Sequence, residues 1–375
     1  MDWNAMDITS LDHAPPPAGS GCNVLIIAQG GAGAGKHAPG LARTPPLLHS
    51  IYPSQENRTM TTHTIAILGG SGFVGSRLCA RLARDGHTIR VLTRHRDRHR
   101  DLLVLPTVEV MEGNPHDPAV LDGFIAGCDV VINLVGILNE RQHDGSGFER
   151  AHVELPGKII AACRAHGIRR LLHMSALGAD ADHGASHYQR SKGRGENLVL
   201  AAAGLDVTTF RPSVIFGPGD SFLRRFAGLL RITPLMFPLA CPTARFQTVY
   251  VGDVVECYAR AIDDARTYGH SYSLCGPRVY TFLELVRYTA RVAGTPRLIL
   301  PLPDWASRMQ AEIFEWLPGK PFSRDNYLST RHDNVCPEPF PEVFGITPTP
   351  LESIAPYYLG GAGERRRYER LRGRD

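Results

Sequence analysis

From Thr64 onward the chain alternates short apolar runs with longer stretches in which apolar residues recur every three or four positions. "TIAIL" (64–68) is apolar after its first residue, the pattern of a strand buried on both faces. In "GFVGSRLCARLARDG" (72–86), Val74, Leu78, Leu82 and Ala83 share one helical face, and Gly86 supplies the stop. The exchange then repeats. "TIRVLTR", "VEVMEG", "DVVINLVGI", "RRLLHMSALG" and "DVTTFRPSVIFG" read as strands, and "DPAVLDGFIAGC", "LPGKIIAACRAHGI" and "SHYQRSKGRGENLVLAAAG" as helices between them. Strands interleaved with helices predict a parallel, doubly wound α/β sheet over residues 61–217.

Past Gly217 the pattern turns irregular and proline becomes frequent. Strand signals at "ARFQTVYV" (244–251) and "HSYSLCG" (270–276), with helices near 252–264 and 281–293, predict a smaller α/β lobe over 218–345. This lobe is expected to thread partly back into the first domain. Residues 346–375, ending in "GERRRYERLRGRD", are expected to form a basic, solvated tail. Residues 1–60 are rich in Pro, Gly, Ala and Ser without apolar period, and are read as a disordered extension or a mis-started N-terminus with Met60 as the alternative start. A chain beginning at Met60 is expected to fold and bind as the full chain does.

Composition narrows the classes. A chain of 375 residues accommodates a large α/β domain with an appended lobe. The net charge is only +4, and the basic residues are nearly all arginine, with four lysines. No basic stripe with interleaved aromatics is present, so no nucleic-acid partner is expected. The eight cysteines include no C-x-x-C pair, which fits a reducing, cytoplasmic setting better than a disulfide framework. No histidine–cysteine cluster has zinc spacing, and no metal site is expected. No apolar run reaches the ~18 residues of a membrane span, and the acidic, non-basic N-terminus is unlike a signal peptide.

Two glycine-rich stretches compete for a phosphate. "QGGAGAGKH" (29–37) has Gly30, Gly35 and Lys36 at phosphate-loop spacing, but His37 stands where the Mg²⁺-binding hydroxyl belongs and no helix pattern follows. "GGSGFVGS" follows a strand, opens an amphipathic helix, and leads to a second strand about 20 residues on, which is the context of a dinucleotide-binding Rossmann unit. Gly69, Gly70, Ser71, Gly72, Phe73, Val74 and Gly75 are therefore the expected pyrophosphate cradle, with the helix N-terminus favouring the anion. At the end of the second strand an Asp or Glu usually holds a ribose 2′-hydroxyl. Here Thr93 and Arg94 stand there, with Arg96 and Arg98 behind them, so NADP(H) is favoured over NAD(H). Leu134, Val135 and Gly136 of "NLVG" are expected beside the adenine ribose and diphosphate. Pro212 of "RPSVIFGPGD" is expected near the nicotinamide. Asn114 occupies the place of an adenine-contacting acid, with Asp117 the less well placed substitute.

A second constellation carries chemistry. Ser175 ends a strand, and Tyr188 and Lys192 open the next helix at i, i+4, on one face. Lysine there is expected to lower the tyrosine pKa and to bind the nicotinamide ribose. The phenol would be general acid or base and the serine hydroxyl would orient a substrate carbonyl.

Together these stretches resemble the short-chain dehydrogenase/reductase superfamily, in its extended or atypical branch, from about Thr64 to about Gly345. "GGSGFVGS", "VINLVGIL", "HMSALGAD", "YQRSKGRGE", "RPSVIFGPGDSFL", "ARFQTVYVGDVVE" and "LPGKPFSRDN" look like bacterial relatives of the nucleotide-binding accessory subunit of respiratory complex I. The resemblance implies three readings. One is an accessory-type protein that keeps NADPH bound, in association with a respiratory complex or peripheral to the inner membrane. Another is an active epimerase or reductase on a nucleotide sugar, quinone-related or lipid substrate. The third is a non-catalytic dinucleotide sensor or assembly protein. Two departures from the extended enzymes stand out: "GGSG" lacks the usual threonine, and Thr93-Arg94 replaces the usual acid.

Overall fold

The computed structural model describes residues 61–140, 144–316 and 322–360. The N-terminal extension, the first glycine stretch and the arginine-rich end lie outside the described residues.

The first part of the chain lays down β1 (Thr64–Leu68), α1 (Phe73–Arg84), β2 (Thr88–Thr93), α2 (Arg100–Leu103), β3 (Val108–Glu112), α3 (Pro118–Ile125), β4 (Val130–Asn133), α4 (Ser146–Glu149), α5 (Leu155–Ala165), β5 (Arg170–Met174), α6 (His187–Leu200) and β6 (Asp206–Pro212). The second part holds β7 (Ile215–Phe216), α7 (Leu223–Ile232), β8 (Met236–Leu239), β9 (Arg245–Phe246), β10 (Val249–Tyr250), α8 (Val251–Ala261), β11 (His270–Leu274), β12 (Tyr280–Thr281), α9 (Phe282–Val292), β13 (Leu298–Pro301), α10 (Asp304–Glu315), α11 (Arg324–Thr330) and α12 (Leu351–Leu359).

Seven strands make one sheet in the order β11-β6-β5-β4-β1-β2-β3. Every pairing in it is parallel. Parallel strands need covered faces, and both faces are covered. On one side Val74, Leu78 and Leu82 of α1 join Val254 and Tyr258 of α8. On the other, Leu121 and Phe124 of α3 join Ile159 and Cys163 of α5 and Val199 of α6. The chain reverses its direction of travel across the sheet between β1 and β4, which opens a crevice at their carboxyl ends. β11 lies in the second part of the sequence yet forms an edge of this sheet, so the lobe does thread back.

The lobe has its own core, built by Leu223 and Leu230 of α7, Leu285 and Val286 of α9, Ile299 of β13 and the α12 residues Leu351, Ala355 and Leu359. Those α12 residues correct the expectation of a tail beginning at 346. They recur every four positions and are 0–2% exposed, because one helical face is packed against the lobe.

Two further expectations change. The helix expected to start at Leu155 starts at Ser146, running through a π-helical turn at Arg150–Glu154 before α5. Cysteine use also departs from the sequence reading, since Cys275 and Cys336 are joined by a disulfide with Cα atoms 6.1 Å apart. Their separation of 61 residues gives no local signal. The Gln247 side chain brings them together: its amide donates to the Gly276 carbonyl at 2.8 Å and accepts from the Cys336 N–H at 3.0 Å.

Candidate functional site

The glycine loop is shaped by near contacts that leave no room for side chains. Gly69 turns the chain out of β1 at φ +78, a left-handed conformation, and a Cβ on it would stand 3.0 Å from the Leu134 carbonyl carbon. A Cβ on Gly75 would stand 2.3 Å from the Gly69 oxygen, so α1 packs against the loop only because residue 75 is glycine. Gly70 is closed off by Val91, and Gly72 is the N-cap of α1 without a side-chain cap. The first turn of α1 holds no acidic residue, and its N–H groups face the crevice between β1 and β4. Phe73 and Val74 follow, Val74 buried in the core and Phe73 half-buried under the Arg77 guanidinium at 4.8 Å. The Ser71 hydroxyl donates to Thr93 Oγ1 at 3.5 Å, tying the loop to the end of β2.

The β4 end is locked from below. Asn133 Oδ1 accepts the Val135 N–H at 3.1 Å, while its amide nitrogen lies 3.1 Å from His173 Nδ1. Leu134 N–H donates to the Leu68 carbonyl. Gly136 is exposed, and a Cβ there would lie 3.1 Å from Lys192 Nζ. Lys192 is buried and donates to the Met174 carbonyl at 3.0 Å, so its ammonium sits between the β4 and β5 ends, beside "NLVG". Burial pulls that ammonium down to about 8, with Glu196 working in the other direction.

Two buried histidines surround Lys192. His152, from the π-turn, accepts the Ile137 N–H at Nε2, which leaves Nδ1 to donate to Ser191 Oγ at 2.9 Å. Burial, then the charge of Lys192, push His152 down to about 2 and His173 to about 3, so both are neutral.

Tyr188 is half-buried, edge-on to His152 (5.6 Å) and Phe148 (6.1 Å). Its phenol is pushed up to about 12, by burial first and then by Asp325. This corrects the expectation that Lys192 lowers the Tyr188 pKa: the pair shares a helix, but the lysine reaches to Met174. Asp325 comes from α11 and accepts the His187 N–H at 2.7 Å and the Tyr188 N–H at 3.4 Å, capping α6 from the lobe.

Ser175 is also engaged elsewhere. Its hydroxyl donates to Glu196 Oε2 at 2.7 Å, and it is 3% exposed. Glu196 collects Arg211 Nε (2.8 Å), Thr209 Oγ1 (3.0 Å) and Ser271 Oγ (2.6 Å) as well. Burial works against the Glu196 charge, but the Arg211, Ser271 and Ser175 hydrogen bonds outweigh it and hold the carboxyl below its usual range. In this arrangement the Ser175 hydroxyl proton is committed to Glu196.

Gly69 to Gly75, Thr93, Leu134 to Gly136, Ser175, Lys192 and Pro212 thus all lie at the carboxyl edge of one sheet, the edge where open α/β sheets bind ligands. The sequence model of the "NAD dependent epimerase/dehydratase family" matches residues 65–275, which includes every one of these positions. The chain belongs to that family. The mouse mitochondrial NADH dehydrogenase (ubiquinone) 1 alpha subcomplex subunit 9 is 29% identical over 317 residues, 82% of each chain. The ceramide reductase of Caulobacter vibrioides is 32% identical over 253 residues, 64% of this chain and 74% of its own. Among solved structures, UDP-glucuronic acid 4-epimerase from Bacillus cereus in complex with UDP-glucuronic acid and NAD has the same fold. Its TM-score is 0.57 at 15% identity, over 72% of this chain and 99% of that one.

The two residues expected on the adenine side make local hydrogen bonds. Asn114 is exposed, with its side-chain oxygen accepting the His116 N–H at 3.1 Å in a local turn. Asp117 is the N-cap of α3 and accepts the Ala119 N–H. Arg94, Arg96 and Arg98 are exposed beyond the end of β2. His152, His173, Glu196 and Asp325 were missed in sequence. They lie on different elements, at spacings that match no motif.

One pH dependence follows. If the Lys192 ammonium donates to the dinucleotide ribose, affinity should hold steady below pH 8 and fall above it, approaching ~tenfold per unit. Fold stability has the opposite sign. The unfolded lysine keeps its proton to its ordinary value of 10.5, so between about 8 and 10.5 the unfolded chain binds more protons and stability rises with pH. Dinucleotide titrations across this range, repeated on Lys192→Met, check both the slope and its source.

Proposed function

We propose that this protein is a dinucleotide-holding member of its family, of the respiratory complex I accessory type, cytoplasmic and peripheral to the inner membrane. The cofactor is NADP(H) in preference to NAD(H). The cradle that side chains at Gly69 and Gly75 would fill supports the dinucleotide. The absence of an acid after Thr93, with Arg94 in its place, supports the 2′-phosphate. Gly69 to Gly75 would hold the diphosphate, Leu134 to Gly136 the ribose side, and Lys192 and Pro212 the nicotinamide end. A nicotinamide held there would be the hydride donor or acceptor. Arg94→Ala should weaken NADPH binding about tenfold or more while sparing NADH. Equal loss for both cofactors would remove Arg94 from the phosphate site.

The observation that carries the accessory reading over an enzyme is the engagement of Ser175 by Glu196. A carbonyl substrate would have to break that buried hydrogen bond to use the serine. The raised Tyr188 phenol points the same way. Similarity to the mouse subunit over most of both chains supports association with a respiratory complex.

A second reading, an active reductase or epimerase, is favoured by one feature. A cavity of about 320 Å³ lies near the start of α6, lined by Phe148, His187, Arg190 and Asp325; Tyr188 does not line it but packs edge-on against Phe148. The cavity has room for a small-molecule substrate. In that reading Tyr188 moves a proton at its phenol oxygen and Lys192 positions the ribose. The third reading, a dinucleotide sensor, needs no chemistry at all. Tyr188→Phe separates the enzyme from the two non-catalytic readings. On the accessory reading it leaves NADPH affinity and complex association unchanged. A turnover found with carbonyl or nucleotide-sugar substrates that drops ~10²–10⁴-fold in Tyr188→Phe would establish the enzyme instead.

A further inference from the structure

The lobe carries an apolar face that the cofactor site does not use. Nine of the fourteen exposed large hydrophobic side chains among the described residues fall between Ile232 and Trp316. In the β8–β13 pair, Leu239 and Ile299 turn inward and are buried. Met236, Leu298 and Leu300 turn outward, 53%, 63% and 46% exposed. The helix α10 continues from β13 and lies against β8, where Gln310 donates to the Pro238 carbonyl at 3.3 Å. It buries only small residues, Ala306, Ser307 and Ala311. Its outer face repeats every four positions as Trp305, Met309 and Ile313, which are 70%, 50% and 54% exposed. A soluble surface rarely gathers so many large apolar side chains without a partner for them.

The segments that flank this face in sequence are basic. Residues 221–239 carry Arg224, Arg225 and Arg231 and no acid, and residues 285–303 carry Arg287, Arg291 and Arg297 and no acid. α10 itself carries three acids against Arg308: Asp304, which accepts the Tyr327 hydroxyl, Glu312, which pairs with Arg308 at 3.3 Å, and Glu315. The chain leaves α12 at Gly360, where a Cβ would lie 3.5 Å from the Val292 carbonyl, just ahead of β13.

We propose that this face of the lobe docks on the interfacial region of an anionic phospholipid bilayer. The proposal rests on the peripheral-membrane part of the reading above. Tryptophan beside aliphatic residues, with arginines around them, is the composition of a helix lying in the headgroup layer. The aliphatic side chains would enter the acyl boundary, and the arginines would meet lipid phosphates. A second copy is disfavoured because an isologous contact would bring two basic rims together. No helix among the described residues is long and apolar enough to cross a membrane, so the contact is made from one side.

The chain has three tryptophans, and two of them, Trp305 and Trp316, lie on this face. In the full chain with Trp3→Phe, tryptophan emission therefore reads the face directly. Vesicles of phosphatidylcholine with phosphatidylglycerol should shift the emission to the blue and carry the protein down on centrifugation. Phosphatidylcholine alone should bind about tenfold more weakly or less. Adding Trp305→Glu and Met309→Glu should abolish both signals while circular dichroism and NADPH binding stay unchanged, since both side chains are exposed. Failure of the full chain to bind either vesicle would overturn the proposal. So would a dimer by light scattering that Trp305→Glu dissociates, which would assign the face to a second copy. Binding to a detergent-solubilised respiratory complex without vesicle binding would overturn the bilayer and keep the accessory reading. Vesicle binding without any complex association would support the docking face and count against the accessory reading.

Discussion

Substituting Gly72 by aspartate is expected to cost at least about a hundredfold in dinucleotide affinity while leaving the unliganded fold intact. The two effects separate for a physical reason. Gly72 is the N-cap of α1, at φ −81 and ψ −179, an extended conformation that aspartate adopts readily. Aspartate is a preferred N-cap and the α1 N-terminus lacks a side-chain cap, which offsets the 3.2 Å approach of its Cβ to the Gly69 carbonyl oxygen, so the free protein should keep its stability to within about 1 kcal/mol. The same carboxylate then takes the N–H groups that a pyrophosphate needs and repels its charge. Isothermal titration with NADPH, paired with thermal unfolding of the free protein, checks both halves. A parallel fall in melting temperature would mean that Gly72 serves the fold and not the ligand.

The largest effect on stability is expected at Gly195. A Cβ there would stand 1.9 Å from the His152 carbonyl oxygen, a backbone atom that cannot swing aside. The helix α6 approaches the π-turn this closely only because residue 195 has no side chain. Gly195→Ala should therefore lower stability by ~3 kcal/mol or more, at the upper end of overpacking costs. The displacement would also move Tyr188 and Lys192, since they ride on the same helix. Denaturant unfolding measures the loss. Gly157→Ala is the internal control, because its Cβ would meet Leu198 at an ordinary 3.6 Å.

Much of the fold was legible because parallel strands buried on both faces read as plain apolar runs. β1, β2, β4 and β5 all lie within the segments chosen on that pattern. The glycine loop was legible for a related reason: each glycine answers a steric demand set by a strand–turn–helix unit. What escaped the sequence depends on contacts between distant elements. The early start of the helix at Ser146 was hidden because "SGFERAHVE" is polar and its π-turn breaks the helical period. The α12 helix was hidden by Pro350 and Pro356 and by the arginines that follow it. In the site, the hydrogen bond from Ser175 to Glu196, 21 residues on, matches no spacing rule and was not legible. Asp325 caps α6 across 138 residues, a partnership that no spacing rule anticipates.

The central claim is that the carboxyl edge of the sheet holds NADP(H). Calorimetric titration of the unmutated full chain with NADPH and with NADH tests it most directly. The account predicts saturable binding of one NADPH per chain, at least about tenfold tighter than NADH. Tighter binding of NADH, or binding of neither, would contradict it.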